Sequence, residues 1–89
     1  MQFEWNREKA QNNVKKHKVS FEEAITVFYD PLSATFNDDE PSINEDRFIT
    51  IGYSSKNRLL VVAHTEKENT IRIISARFAT KNERKRHEE

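Results

Sequence analysis

Hydrophobic positions along this chain fall into two periods, first helical and then alternating. Phe3-Glu4-Trp5 alternates and reads as a short extended segment that anchors two rings. Asn6 suits the N-cap of a helix from Arg7 to about His17, with Ala10, Val14 and His17 spaced as its inner stripe. Ser20-Phe21-Glu22-Glu23 has the form of a capping box, and Phe21, Ala24, Ile25 and Phe28 follow at helical spacing until Asp30-Pro31 closes the run. Leu32 to Phe36 reads as an edge strand, and residues 37–46, polar, acidic and interrupted by Pro41, as a mobile loop. Three β-rich runs come next: Arg47–Tyr53, Arg58–Thr65 and Thr70–Phe78. Their short polar connections imply an antiparallel meander. Thr80-Lys81-Asn82-Glu83 is a second capping box and opens a final helix without an apolar face, which core burial does not hold.

The expected fold is therefore α+β, N-terminal helices packed on an antiparallel sheet with a C-terminal helix, in one domain spanning residues 1–89. A chain of this size buries only about 60–65% of its unfolded surface, so the core must be efficient. There is no Cys, which removes disulfides and thiolate metal sites. The first residues lack the pattern of a signal peptide. The longest apolar run, Leu59-Leu60-Val61-Val62-Ala63, is far short of the roughly 20 residues of a membrane span. A soluble cytoplasmic protein is expected.

Net charge is zero, but its distribution is uneven. Residues 1–20 hold five Lys/Arg against two acids, residues 21–46 eight acids and no base, and residues 47–89 ten bases against five acids. Such polarity suits an anionic polymer on one surface and a partner on another; equally, folding can bring the segments together and neutralise them.

If each meander turn leaves an even number of residues unpaired, Tyr53 faces Arg58, Arg47 faces His64, Arg58 faces Arg77 and His64 faces Ile71. Tyr53, Arg58 and Arg77 would then meet at one end of a sheet face, with Arg47 and His64 at the other. Converging guanidinium groups match phosphate oxygens. The plainer alternative is that strand-end Arg and Tyr side chains reach for water.

Several stretches together resemble the BrnT toxin family. They are Phe3-Glu4-Trp5-Asn6, Lys16-His17 with Val19-Ser20-Phe21-Glu22-Glu23-Ala24, and Phe28 with Asp30-Pro31; then Arg47 to Gly52, Leu60-Val61-Val62 with His64-Thr65, and Ile71 to Arg77 with Ala79-Thr80. The similarity runs from about residue 3 to the last helix. It implies a RelE-like fold and a toxin that cleaves RNA and inhibits growth. It also implies a BrnA-like antitoxin with a ribbon-helix-helix part, through which alone the complex contacts DNA. The chain departs from the family at Asn6, where Asp is usual, and at His87, where the final helix usually carries Tyr.

Metal-independent cleavage needs a base for the ribose 2′-hydroxyl, cations for the phosphorane-like charge and an acid for the leaving 5′-oxygen. Arg58 and Arg77 are the candidates for charge stabilisation, with Arg47 third; His64, His87, His17 and Tyr53 are candidates for proton transfer. Arg47, Tyr53, Lys16 and His17 are the candidate substrate-binding residues. His17 equally fits a helix cap, His64 a buried strand residue and His87 a solvated tail. No motif for a metal or cofactor is present in the sequence, so none is expected. The competing reading is a non-catalytic module that binds nucleic acid or antitoxin through Lys15–Lys18 and Arg84-Lys85-Arg86.

Overall fold

In the computed structural model, which describes residues 1–38 and 46–89, helix starts follow their capping side chains. Asn6 Oδ1 accepts the Lys9 N–H at 3.0 Å and opens α1, Arg7–His17. Lys18 closes it in the left-handed region, φ 61°, its N–H returning to the Val14 carbonyl. The inner stripe differs from the one expected. Val14 is 43% exposed, and Asn13 is buried in its place. The reason is hydrogen bonding: Asn13 Nδ2 donates to the Val19 and Ala76 carbonyls at 2.9 and 2.8 Å, and its Oδ1 accepts the Ala76 N–H at 3.1 Å. One amide thus ties a helix, the following connection and a strand together, and hydrophobic spacing cannot reveal it.

Ser20 Oγ accepts the Glu23 N–H at 3.0 Å at the start of α2, Phe21–Thr26. The returning half of that capping box is replaced, because the Glu23 carboxylate turns to Ser54 and Arg58. A 3-10 turn, Val27–Tyr29, carries the chain to Asp30.

Five strands form one sheet: β1, Gln2–Glu4; β2, Ala34–Asn37; β3, Arg47–Tyr53; β4, Leu59–Lys67; β5, Thr70–Phe78. Their order is β1-β5-β4-β3-β2. The meander is as expected, while β1 adds a parallel strand beside β5. The loop read over residues 37–46 lies mostly outside the described residues, and Asn37 itself ends β2.

Register is where the structure departs most from expectation. Tyr53 pairs with Leu59, so residues 54–58 form an odd connection in place of an even one, and Arg47 pairs with Thr65. Lys67 pairs with Thr70 across a Glu68-Asn69 turn. Further along, His64 faces Ile73 but Ala63 faces Ser75, leaving Ile74 as a β-bulge. None of the four expected pairs forms. Side chains alternate across a sheet, so each one-residue shift transfers the following residues to the other face. Thr50, Leu60, Val62, His64, Ile73 and Ala76 share the face covered by α1 and α2; Ile49, Ile51, Tyr53, Leu59, Val61 and Arg77 share the opposite one.

The main core lies on the helical side, where Val19, Phe21, Ala24 and Val27 meet Leu60, Val62, Ile71, Ile73 and Ala76. Trp5 packs edge-on to Phe21, ring centroids 6.0 Å apart. Gly52 approaches the Val27–Ser33 segment so closely that a Cβ there would stand 2.8 Å from Ser33 Cβ. That proximity lets Asp30 Oδ2 accept the Tyr53 N–H at 2.7 Å, which holds the Asp30 carboxyl below its usual range. A smaller cluster, Ile51, Leu59 and Val61, lies on the other face beside α3, Lys81–Glu88. Among the described residues no helix is long and apolar enough to cross a membrane.

Candidate active site

A groove of about 480 Å³ opens between the sheet and α3. Its floor is apolar, made by Ala34, Phe36, Ile49, Ile51 and Val61, and Glu83, Arg86 and His87 form its α3 wall. Because α3 buries none of its residues, polar ties must place it. The Thr80 capping box starts it, with Thr80 Oγ1 accepting the Glu83 N–H at 3.2 Å and Glu83 Oε1 accepting the Thr80 N–H at 2.8 Å.

Arg77 supplies the second tie. Its Nη1 and Nη2 donate to Glu83 Oε1 and Oε2 at 2.8 and 2.9 Å, a two-pronged pair. The guanidinium holds the Glu83 carboxyl down to about 2, and the carboxylate in turn raises the Arg77 pKa. Nη1 also reaches the Phe78 carbonyl at 3.2 Å, so Nε and one Nη2 hydrogen stay uncommitted.

Tyr53 supplies the third. Its hydroxyl donates to Glu88 Oε1 at 2.9 Å, and that bond pushes the phenol above its ordinary value. The His87 ring lies 6.0 Å from the Tyr53 ring, centroid to centroid. One face of the sheet therefore gathers a phenol, an imidazole and the guanidinium groups of Arg77 and Arg86. These groups offer proton transfer beside cationic donors.

The other sequence-predicted site residues are elsewhere. Arg58 precedes β4 and turns to the helical side, where its Nε donates to Glu23 Oε2 at 2.8 Å and Nη2 bonds Glu23 Oε1. Its guanidinium also stands 5.0 Å over the Phe78 ring. Ser54 Oγ adds a bond to Glu23 Oε2 at 2.6 Å, and the Arg58 pair holds the Glu23 carboxyl below its usual range. The expected Arg58–Arg77 cluster is not formed, because the odd connection puts the two side chains on opposite faces. His64 is fully buried on the helical side, its Nε2 2.7 Å from Thr50 Oγ1. Arg47 shares the face of the groove but sits near Asp38, Nε to Oδ2 3.7 Å, at the far end of β3. Lys16 and His17 end α1, across the sheet from the groove.

Sequence reasoning missed Glu83 and Glu88 as the residues that fix α3. It treated Glu83 only as a capping residue, and the signal for its second role was the six-residue separation from Arg77 across a tight turn. Leu32 and Phe36, 74% and 58% exposed, were also missed as the rim and floor of a groove. Exposed apolar side chains on an edge strand were their signal.

A model of the family described as "Ribonuclease toxin, BrnT, of type II toxin-antitoxin system" matches residues 5–83. The fold is similar to the crystal structure of the Brucella abortus ribonuclease toxin BrnT, with a TM-score of 0.69 and 21% identity over 91% of this chain and 99% of that one. No curated protein matches.

Proposed function

The chain belongs to the BrnT family of ribonuclease toxins of type II toxin–antitoxin systems, and from this premise we propose that it is a metal-independent endoribonuclease that arrests growth by cleaving RNA. One observation carries the assignment of residues: α3 sets Arg86 and His87 in the groove wall, with His87 beside Tyr53 and Arg77 bound to the same helix through Glu83. RNA binds with its scissile phosphate between Arg77 and Arg86, whose guanidinium groups stabilise the phosphorane-like charge. The 2′-oxygen attacks phosphorus while its proton passes to His87, the bond to the 5′-oxygen breaks, and that oxygen takes a proton from the same pair of groups, His87 and Tyr53. The products are a 2′,3′-cyclic phosphate and a 5′-hydroxyl. An imidazole has one nitrogen to accept a proton and one to donate, so it can serve in both directions.

In this reading the arrangement is RelE-like, the chain is one domain acting in the cytoplasm, and a BrnA-like ribbon-helix-helix antitoxin silences it. DNA is contacted only through that antitoxin. A second reading, a non-catalytic corepressor module, draws support from one feature: Arg77 already has its charge matched by Glu83.

The test is incubation of the purified, antitoxin-free protein with RNA in EDTA. Cleavage to cyclic-phosphate ends is expected, with Arg77→Ala slowing it by about 100-fold or more while circular dichroism stays native. Arg58→Ala should behave differently: it strands the buried Glu23 carboxylate, lowers the unfolding midpoint, and leaves the folded protein's cleavage rate nearly intact. Full cleavage by folded Arg77→Ala removes the mechanism. Loss of wild-type cleavage in EDTA removes metal independence, and RNA binding without cleavage selects the corepressor reading.

A further inference from the structure

The geometry points to the groove beside β2 and α3 as the antitoxin's docking surface, taking an apolar antitoxin segment that carries at least one carboxylate. This rests on the toxin–antitoxin reading above and adds the place and chemistry of the contact. Leu32 stands largely exposed at the rim and Phe36 at the outer end of the floor, and Ile49 and Ile51 continue that apolar floor inward. A soluble chain gains nothing by displaying such a strip unless something covers it.

Charge selects the occupant. Glu83 is committed to Arg77 by two hydrogen bonds, which cancels the one acidic group among the described lining residues. Arg86 has no acidic partner among the described residues, and His87 lies beside it in the groove wall. An apolar segment with a carboxylate placed to reach Arg86 complements both features. The sheet edge adds a third: among the described residues β2 pairs only with β3, so its outer N–H and C=O groups are open to an added backbone. A segment that fills the groove from this edge also covers Arg86 and His87 in its wall, so docking and silencing are one event. The antitoxin then needs no conformational change in the toxin to block RNA.

The experiment uses the antitoxin encoded by the adjoining reading frame, co-expressed with the toxin, and toxin recovered from the purified complex. Adding antitoxin back should slow amide exchange in residues 32–37 and 81–88. Phe36→Asp and Arg86→Glu should each weaken the complex about tenfold or more, whereas Tyr29→Ser, an equally exposed apolar site on the helical side, should leave it unchanged. If Phe36→Asp loses the fold, the wild-type exchange map and Arg86→Glu decide. Wild-type affinity for both groove variants overturns the proposal, as does protection confined to α1 and α2, or no binding at all. So does a Phe36→Asp effect on RNA binding or on self-association alone, since the occupant would then be RNA or a second copy. RNA cleavage by free toxin is scored separately, so a failed catalytic reading and a failed docking surface give different results.

Discussion

His64 illustrates how far one polar side chain's setting governs its chemistry. It lies between the rings of Phe28 and Phe48, at centroid distances of 4.9 and 5.8 Å, and bonds Thr50, which bonds Thr35. Its Nδ1 is buried without a hydrogen bond, and Glu66 Oε1 stands 3.7 Å away. Burial pushes its pKa down from 6.5 to about 4. The unfolded chain therefore takes up this proton near pH 6.5, whereas the folded chain resists it until about pH 4. Stability contributed by neutral His64 is complete above 6.5, falls as pH descends through that window, and levels off below it. The loss should approach about 3 kcal/mol in urea unfolding, and His64→Gln should flatten that part of the profile. Sequence spacing left open whether His64 was buried or catalytic, and only its face of the sheet decides. Asn13 and Glu23 were illegible for a related reason: each is a polar residue whose burial depends on partners 63 and 31 positions away. By contrast Asn6, Ser20 and Thr80 were readable, because a cap acts within three residues.

Caps made the helices predictable, and strand composition did the same for β3, β4 and β5. Their pairing was not predictable, because register depends on counting turn residues that composition does not constrain. Asn57 and Glu68 both adopt positive φ, 60° and 57°, without a glycine to announce the turn. The final helix shows how a segment without an apolar face is kept in place. Its ties are few, polar and located at Glu83 and Glu88. Glu83→Gln removes the charge that grips Arg77, so amide exchange across residues 81–88 should quicken by about tenfold while the unfolding midpoint of the whole domain moves little. Unchanged protection would mean that Tyr53–Glu88 and the remaining cap suffice.

Across the molecule the sheet separates two kinds of surface. One side is closed by α1 and α2 over the main core; the other carries α3 and the groove. Part of the charge polarity seen along the chain is cancelled on folding, as Glu23 meets Arg58, Asp38 meets Arg47 and Glu83 meets Arg77. What survives near the groove should read phosphate, and the basic end of α1 should not. Binding of a non-cleavable RNA should weaken with salt, and Arg86→Ala should reduce the log–log slope by about 0.7, one phosphate's worth on a single strand. Lys16→Ala, across the sheet, should leave that slope unchanged. Equal effects of the two substitutions, measured by anisotropy titration, would show that RNA does not distinguish the faces.

Ile74 sets the phase of everything after it in its strand. Were the strand regular, with Ile74 paired opposite Ala63, Arg77 would turn toward the packed interior and Ala76 would go out to solvent. A guanidinium would replace a methyl against Asn13, and the groove would lose its anchor for the last helix in the same stroke. This strand should accept many substitutions at position 74, and deleting Ile74 should leave Arg77 on the groove face.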